Sequence, residues 1–230
     1  MIINNYQRAS EAASAMIESL LREMRQYPEN IFRIALSGGN TPAVLFELWA
    51  KEFADLTPWE RLHFYWVDER CVPCDSSKSN YGMAKRLLFD PVGLDEKQIH
   101  PINGDCNYGE EAKRYSLLVK SEVPREEGVP IFDVVFLGIG DDGHTSSIFP
   151  DHERLLTVDE PYVSTVAPDG QSRIAMTGKP MIQAIHTWFF VTGKEKIAIL
   201  REVCNKKNID KYPASYVLWH AKNAELFTAI

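Results

Sequence analysis

The segment 132–140, FDVVFLGIG, is apolar at nearly every position until it breaks into glycines. A half-exposed strand alternates apolar and polar residues. Residues 134–137 do not alternate, so both faces of this strand must be covered. Helices on the two faces of a mostly parallel sheet are the usual way to cover such a strand, and the rest of the chain supplies the parts. Short β-leaning runs occur at 31–36, 63–67, 173–176 and 188–191. Between them, apolar residues return at helical spacing: Ala13, Ile17, Leu20, Leu21 and Met24 in 9–26, and Val44, Leu45, Leu48 and Trp49 after 40. Residues 80–89, 109–120 and 195–203 also read as helices, and Pro28 stops the first one. Loops are expected at 71–79, 124–130 and 150–160. None is long or biased enough to be a linker, so the expectation is an α/β fold with one domain spanning 1–230.

A net charge of −7 argues against nucleic acid or an anionic membrane surface as the main partner. No apolar run approaches the ~20 residues of a membrane span, and the N-terminus lacks the basic start and apolar core of a signal peptide. Cys71 and Cys74 form a C-x-x-C, but no second pair stands at zinc spacing. Free thiols, a cytoplasmic location, a monomer, no metal and no cofactor are therefore expected. An acidic chain that binds a small anion must gather a few Arg or Lys at one place.

In an open parallel sheet, ligands collect beyond the carboxyl ends of the strands. Three small or polar segments follow apolar runs: SGGNTP at 37–42, DER at 68–70 and GIGDDGHTSS at 138–147. In the first, Gly38 and Gly39 let the backbone approach a ligand, and amides at the start of the next helix would face an anion. A plain strand-to-helix turn reads the same way. In the third, Asp142 precedes His144 by two positions, and Thr145, Ser146 and Ser147 read as helix-start residues. A histidine beside a helix N-terminus suits a general base. Asp142 could orient the ring or hold a sugar hydroxyl. GIGDDG matches G-x-G-x-x-G formally, but two carboxylates would repel a pyrophosphate, so a dinucleotide site is rejected. Neither Ser37, which has no evident base, nor Ser146 and Ser147, which lack the nucleophile-elbow context, reads as a nucleophile.

Together SGGNTP, VDERCVP, SNYGMAKRLL and FLGIGDDGHTSSIFP resemble the 6-phosphogluconolactonases, with the motifs in order from Ile34 to Val191. That family is similar in fold to glucosamine-6-phosphate deaminase and to sugar-phosphate isomerase-like proteins, a modified Rossmann-like arrangement. The resemblance implies hydrolysis of 6-phosphoglucono-δ-lactone without metal, with His144 as base for water and Asp142 beside it. It implies Arg70 near the phosphate or the oxyanion and Asp68 lining the sugar. Ser37, Gly38, Gly39, Thr41, Arg173 and Lys196 would bind substrate phosphate. The deaminase is the nearest alternative, but its loop carries a glutamate five positions after the histidine, where this chain has Phe149. A non-catalytic sugar-phosphate sensor is a further alternative. The chain departs from the resemblance at VLWHAKNAELF, where His220 and Lys222 follow Trp219 in place of acidic character.

Overall fold

The computed structural model describes residues 1–230. β1 (Ile2–Asn5) and α1 (Ala9–Gln26) come first, followed by β2 (Phe32–Leu36), α2 (Asn40–Glu52), β3 (Leu62–Trp66) and the short β4 (Asp68–Arg70). Next, α3 (Asn80–Ala84) widens through a π-type segment, Lys85–Phe89, into α4 (Asp90–Val92). α5 (Tyr108–Glu122) leads to a small hairpin of β5 (Arg125–Glu126) and β6 (Val129–Pro130). The chain continues through β7 (Val134–Leu137), β8 (Tyr162–Val166), β9 (Ser172–Met176), α6 (Gly178–Gln183) and β10 (His186–Thr192). It finishes with α7 (Ile197–Val203), α8 (Pro213–His220) and β11 (Ala224–Ala229).

Six strands form one sheet in the order β1-β11-β10-β7-β2-β3, and every pairing in it is parallel. β7 is buried at all four positions, as its unbroken apolar sequence requires. α1 turns Ala12, Ala13, Met16, Ile17, Leu20, Leu21 and Met24 inward against α2 and the β10–β11 side of the sheet. It ends at Tyr27, where the following Pro28 disfavours another helical residue. Leu36, Phe64, Trp66, Leu137 and Phe189 are fully enclosed around the sheet, each contributing roughly 2–3 kcal/mol of burial.

The topology reverses between β2 and β7: the chain runs outward from β2 to β3 on one side and from β7 to β10 and β11 on the other. A crevice opens at such a point, beyond the carboxyl ends of the strands. A second sheet, antiparallel in the order β4-β9-β8, stands beside it. The parallel sheet flanked by helices is therefore as expected, but β1, α4, β8, α6, α8 and β11 were not anticipated.

Three local expectations are corrected. Asp68, Glu69 and Arg70 form a strand paired with β9 rather than a loop, because Val67 passes the chain from one sheet to the other: its N–H bonds to Leu36 O at 2.9 Å and its carbonyl accepts from Met176 N at 2.7 Å. The segment 124–130 holds the β5–β6 hairpin rather than a plain loop. No α-helix follows His144; Thr145 to Ile148 form a tight turn closed by an isolated bridge. The departures near the C-terminus are spent locally: His220 Nδ1 lies 2.8 Å from Tyr216 O, and Lys222 pairs with Glu126 at 3.2 Å. No helix is long and apolar enough to cross a membrane.

Candidate active site

A cleft of about 480 Å³ occupies the crevice. Its lining includes Ser37, Gly38, Thr41, Asp68, Arg70, His144, Arg173 and Lys196, so eight of the ten expected residues converge on one cavity; Gly39 and Asp142 are next in sequence to lining residues but do not themselves line it.

The first wall is the turn from β2 into α2. Gly39 occupies the N-cap position at φ 104°, a conformation that costs a side-chain-bearing residue strain, and no side chain caps the helix. The amides of Asn40 and Thr41 at the start of this 13-residue helix are thus unclaimed by side chains, Pro42 has none to offer, and all three residues line the cleft. The Ser37 hydroxyl is engaged as a donor: it bonds to Phe136 O at 2.7 Å and fastens β2 to β7. Thr41 Oγ1 meets Thr192 Oγ1 at 3.2 Å, linking the turn to the end of β10.

The second wall is built by β4 and β9. Their antiparallel register sets Arg70 directly opposite Arg173. Two like charges facing each other across a strand pair destabilise it unless an anion lies between or above them. Arg70 Nη1 donates to Lys78 O at 2.6 Å, but Arg173 Nε is enclosed and has no hydrogen-bond partner. Burial lowers the pKa of Arg173, partly offset by the Asp68 carboxylate and reinforced by Arg70. Asp68 is buried and doubly held: Oδ2 accepts from Ser147 Oγ, and Oδ1 lies 3.2 Å from Asn80 Nδ2.

The floor is the loop after β7. His144 Nδ1 lies 2.6 Å from Asp142 Oδ1, and the same carboxylate oxygen accepts the His144 backbone N–H at 3.1 Å. In this structure Asp142 thus contacts the ring through Oδ1. With Nδ1–H directed at the carboxylate, Nε2 is left as the basic nitrogen and has no protein partner. Because no helix begins here, the local electrostatic partner of the imidazole is Asp142 rather than a helix terminus. Phe149 tilts against the ring with centroids 4.6 Å apart. Gly140 is required at its position: a Cβ there would lie 2.1 Å from His144 Nδ1. Gly143, at φ 84°, is overlain by the Tyr212 ring, and its carbonyl accepts from Ala214 N at 3.0 Å. At the far end Lys196 Nζ donates to Ile139 O at 2.9 Å and to Asp141 at 2.6 Å, an ion pair that lowers the Asp141 pKa.

Asn80, Asp141 and Thr192 also line the cleft and were not singled out from sequence, and Ser147, another lining residue, was read only as a helix-start serine that is no nucleophile. Asn80 and Ser147 lie inside the quoted SNYG and GHTSS segments, but only their contacts across the chain reveal what they hold. The C-x-x-C thiols are free, and burial pushes Cys71 up to about 11. No three His, Cys, Asp or Glu side chains converge in a manner suited to a metal ion.

A family described as glucosamine-6-phosphate isomerases/6-phosphogluconolactonase matches residues 5–228. A 6-phosphogluconolactonase of Treponema pallidum is 36% identical over 197 residues, covering 85% of this chain and 81% of the relative. One from Aggregatibacter actinomycetemcomitans is 35% identical over 216 residues, covering 92% and 90%. The solved structure of 6-phosphogluconolactonase from Trypanosoma cruzi superimposes with a TM-score of 0.86 at 27% identity, covering 99% of this chain and 93% of that one.

Proposed function

Because this chain belongs to the glucosamine-6-phosphate isomerase/6-phosphogluconolactonase family, we propose that it hydrolyses 6-phosphoglucono-1,5-lactone to 6-phosphogluconate, the lactone-opening step of the pentose phosphate pathway. His144 Nε2 takes a proton from water as the oxygen attacks the lactone carbonyl, and Asp142 steadies the imidazolium that forms. The tetrahedral intermediate then collapses, and the ring oxygen leaves with a proton returned from His144. Asp68, fixed by Ser147 and Asn80, lines the sugar.

The observation that carries this reading is the Arg70–Arg173 cross-strand pair beside a carboxylate-held histidine. The pair calls for an anionic group, and the histidine calls for a proton. Along its lining the cleft gathers the facing Arg70 and Arg173, Lys196 and the first residues of α2 as stations for anionic groups. The substrate brings one phosphate and one developing oxyanion to fill them. A positioned base supplies about 10²- to 10⁴-fold, and oxyanion stabilisation a comparable factor. That is enough for an ester as activated as a δ-lactone.

Phe149 favours the lactonase over the deaminase reading, since the phenyl ring packed on His144 cannot relay a proton. Residues 1–230 act as one domain. The acidic chain and four free thiols fit a cytoplasmic monomer with a small-molecule substrate, neither nucleic acid nor membrane being engaged. The decisive assay is the hydrolysis of freshly prepared 6-phosphoglucono-δ-lactone in EDTA, with the spontaneous rate subtracted. A large acceleration that His144→Ala abolishes while the fold persists is expected. A folded His144→Ala protein of near-full activity would remove the assigned base, and no acceleration by the native chain would remove the lactonase.

A further inference from the structure

Asn80 is 1% exposed, and its side chain contacts both the turn at Gly38 and the Asp68 carboxylate. Its Nδ2 donates to Asp68 O at 2.8 Å and reaches Asp68 Oδ1 at 3.2 Å. Its Oδ1 has no hydrogen-bond partner, which is uncommon for an enclosed amide oxygen. That oxygen is pressed over Gly38 instead: a Cβ on Gly38 would fall 1.7 Å from Asn80 Oδ1 and 2.0 Å from its Cγ. Gly38 is therefore glycine because the Asn80 amide fills the place of its side chain. The backbone around Asn80 is equally fixed. Glu69, enclosed in β4, accepts from Asn80 N at 2.8 Å, Tyr81 N at 2.8 Å and Ser79 Oγ at 3.0 Å. The start of α3 is thus lashed to β4, and Asn80 projects from that junction onto the β2–α2 turn.

We propose that Asn80 is a positioning residue that sets the separation between the anion-facing turn at Gly38 and the sugar-facing carboxylate of Asp68. An amide is the group that fits. Aspartate would bring a second carboxylate against Asp68, and leucine would leave Asp68 Oδ1 without its donor. This inference rests on the lactonase reading and adds a specificity to it: Asn80 serves substrates that carry a phosphate at a fixed distance from the lactone ring, because only those span both ends.

The test compares Asn80→Ala, Gly38→Ala and the double variant on 6-phosphoglucono-δ-lactone and on unphosphorylated glucono-δ-lactone. Misregister of about 1 Å implies a loss of roughly 10²-fold in kcat/KM for the phosphorylated lactone. The unphosphorylated lactone, which needs only one end of the cleft, should lose no more than a few-fold. Truncating Asn80 clears the space that a Gly38 Cβ needs, so the double variant should lose far less than the product of the two single losses. Equal losses on both lactones, or fully multiplicative losses, would overturn the proposal. If Asn80→Ala fails to fold, Asn80→Ser replaces it in the same comparison. Calorimetric binding of inorganic phosphate needs no turnover. Weakened affinity in the Asn80 variant is expected and unchanged affinity would count against the role, even if the native chain hydrolysed neither lactone and the functional reading had failed.

Discussion

Gly140→Ala places a single methyl group against the proposed base and alters no titratable group. The new Cβ would stand 2.1 Å from His144 Nδ1 and 2.2 Å from Cε1, where ordinary contact begins at 3.4 Å. Gly140 has no positive φ, so alanine fits the backbone there. At such positions Gly→Ala usually stabilises a protein by about 0.4–1 kcal/mol through the unfolded state. The conflict therefore falls on the imidazole, which must withdraw by more than about 1 Å from its place beside Asp142. A displacement of that size costs on the order of 10²-fold in rate when the moved group is a reacting one. The assay is kcat/KM for lactone hydrolysis, with melting temperature and binding of 6-phosphogluconate measured alongside. A ~10²-fold loss, carried by kcat, is expected while Tm moves by a few degrees at most and product binding persists. Wild-type turnover by Gly140→Ala would refute the placement of His144 at the reacting centre. Loss of product binding in step with kcat would show that the methyl group had collapsed the cleft rather than moved the base.

Two further outcomes follow from charges, one set in the cleft and one away from it. Asp141→Asn frees Lys196 from its carboxylate partner and removes a negative charge near an incoming phosphate. KM for the phosphorylated lactone should fall by roughly threefold at low salt, with the effect fading as salt rises; a higher KM would mean that Asp141 aims Lys196 rather than competing for it. Away from the cleft, His63 Nδ1 lies 2.9 Å from His100 Nε2, and His100 Nδ1 lies 3.1 Å from Glu122 with Tyr65 stacked on the ring. Burial lowers both histidine pKa values, His63 further through Arg33 and His100 against the pull of Glu122. The unfolded chain therefore takes up protons first. Stability should be full above the ordinary imidazole value of about 6.5 and decline as the pH falls below it. Tm measured between pH 7.5 and 5.5 should drop, and His100→Gln should flatten that slope; a Tm that rises on acidification in the native chain would contradict the sign.

What the sequence disclosed depended on whether its signal was local. β2, β7 and β10 announce themselves as apolar runs because they lie inside the sheet, and β3, although at its edge, because it is largely enclosed. β1 does not: it is an edge strand whose Ile2 and Ile3 are half exposed, and β11 carries Glu225 and Thr228 within an otherwise enclosed strand. α8 escapes because eight residues beginning at Pro213 make little more than two turns of periodicity. Asp68–Arg70 reads as a charged loop, and only its pairing with β9, about a hundred residues later, makes it a strand. The same division holds in the cleft. Glycines flanking His144 and preceding α2 are visible in one dimension. The confrontation of Arg70 with Arg173, and of Asn80 with Gly38, exists only once distant segments meet.

The prop beneath the Gly143 turn has a temporal meaning during synthesis. Tyr212 and Ala214 are translated about seventy residues after His144, and they provide the ring and the amide that brace its loop. β1 waits longer still, since Ile2 pairs with Glu225. A ribosome that has released every cleft-lining residue through Lys196 has therefore made the reacting groups without the support that aims them. Contacts of such high sequence separation form late and slowly. The nascent chain should thus gain catalytic competence abruptly, when α8 and β11 emerge and dock, rather than in proportion to its length.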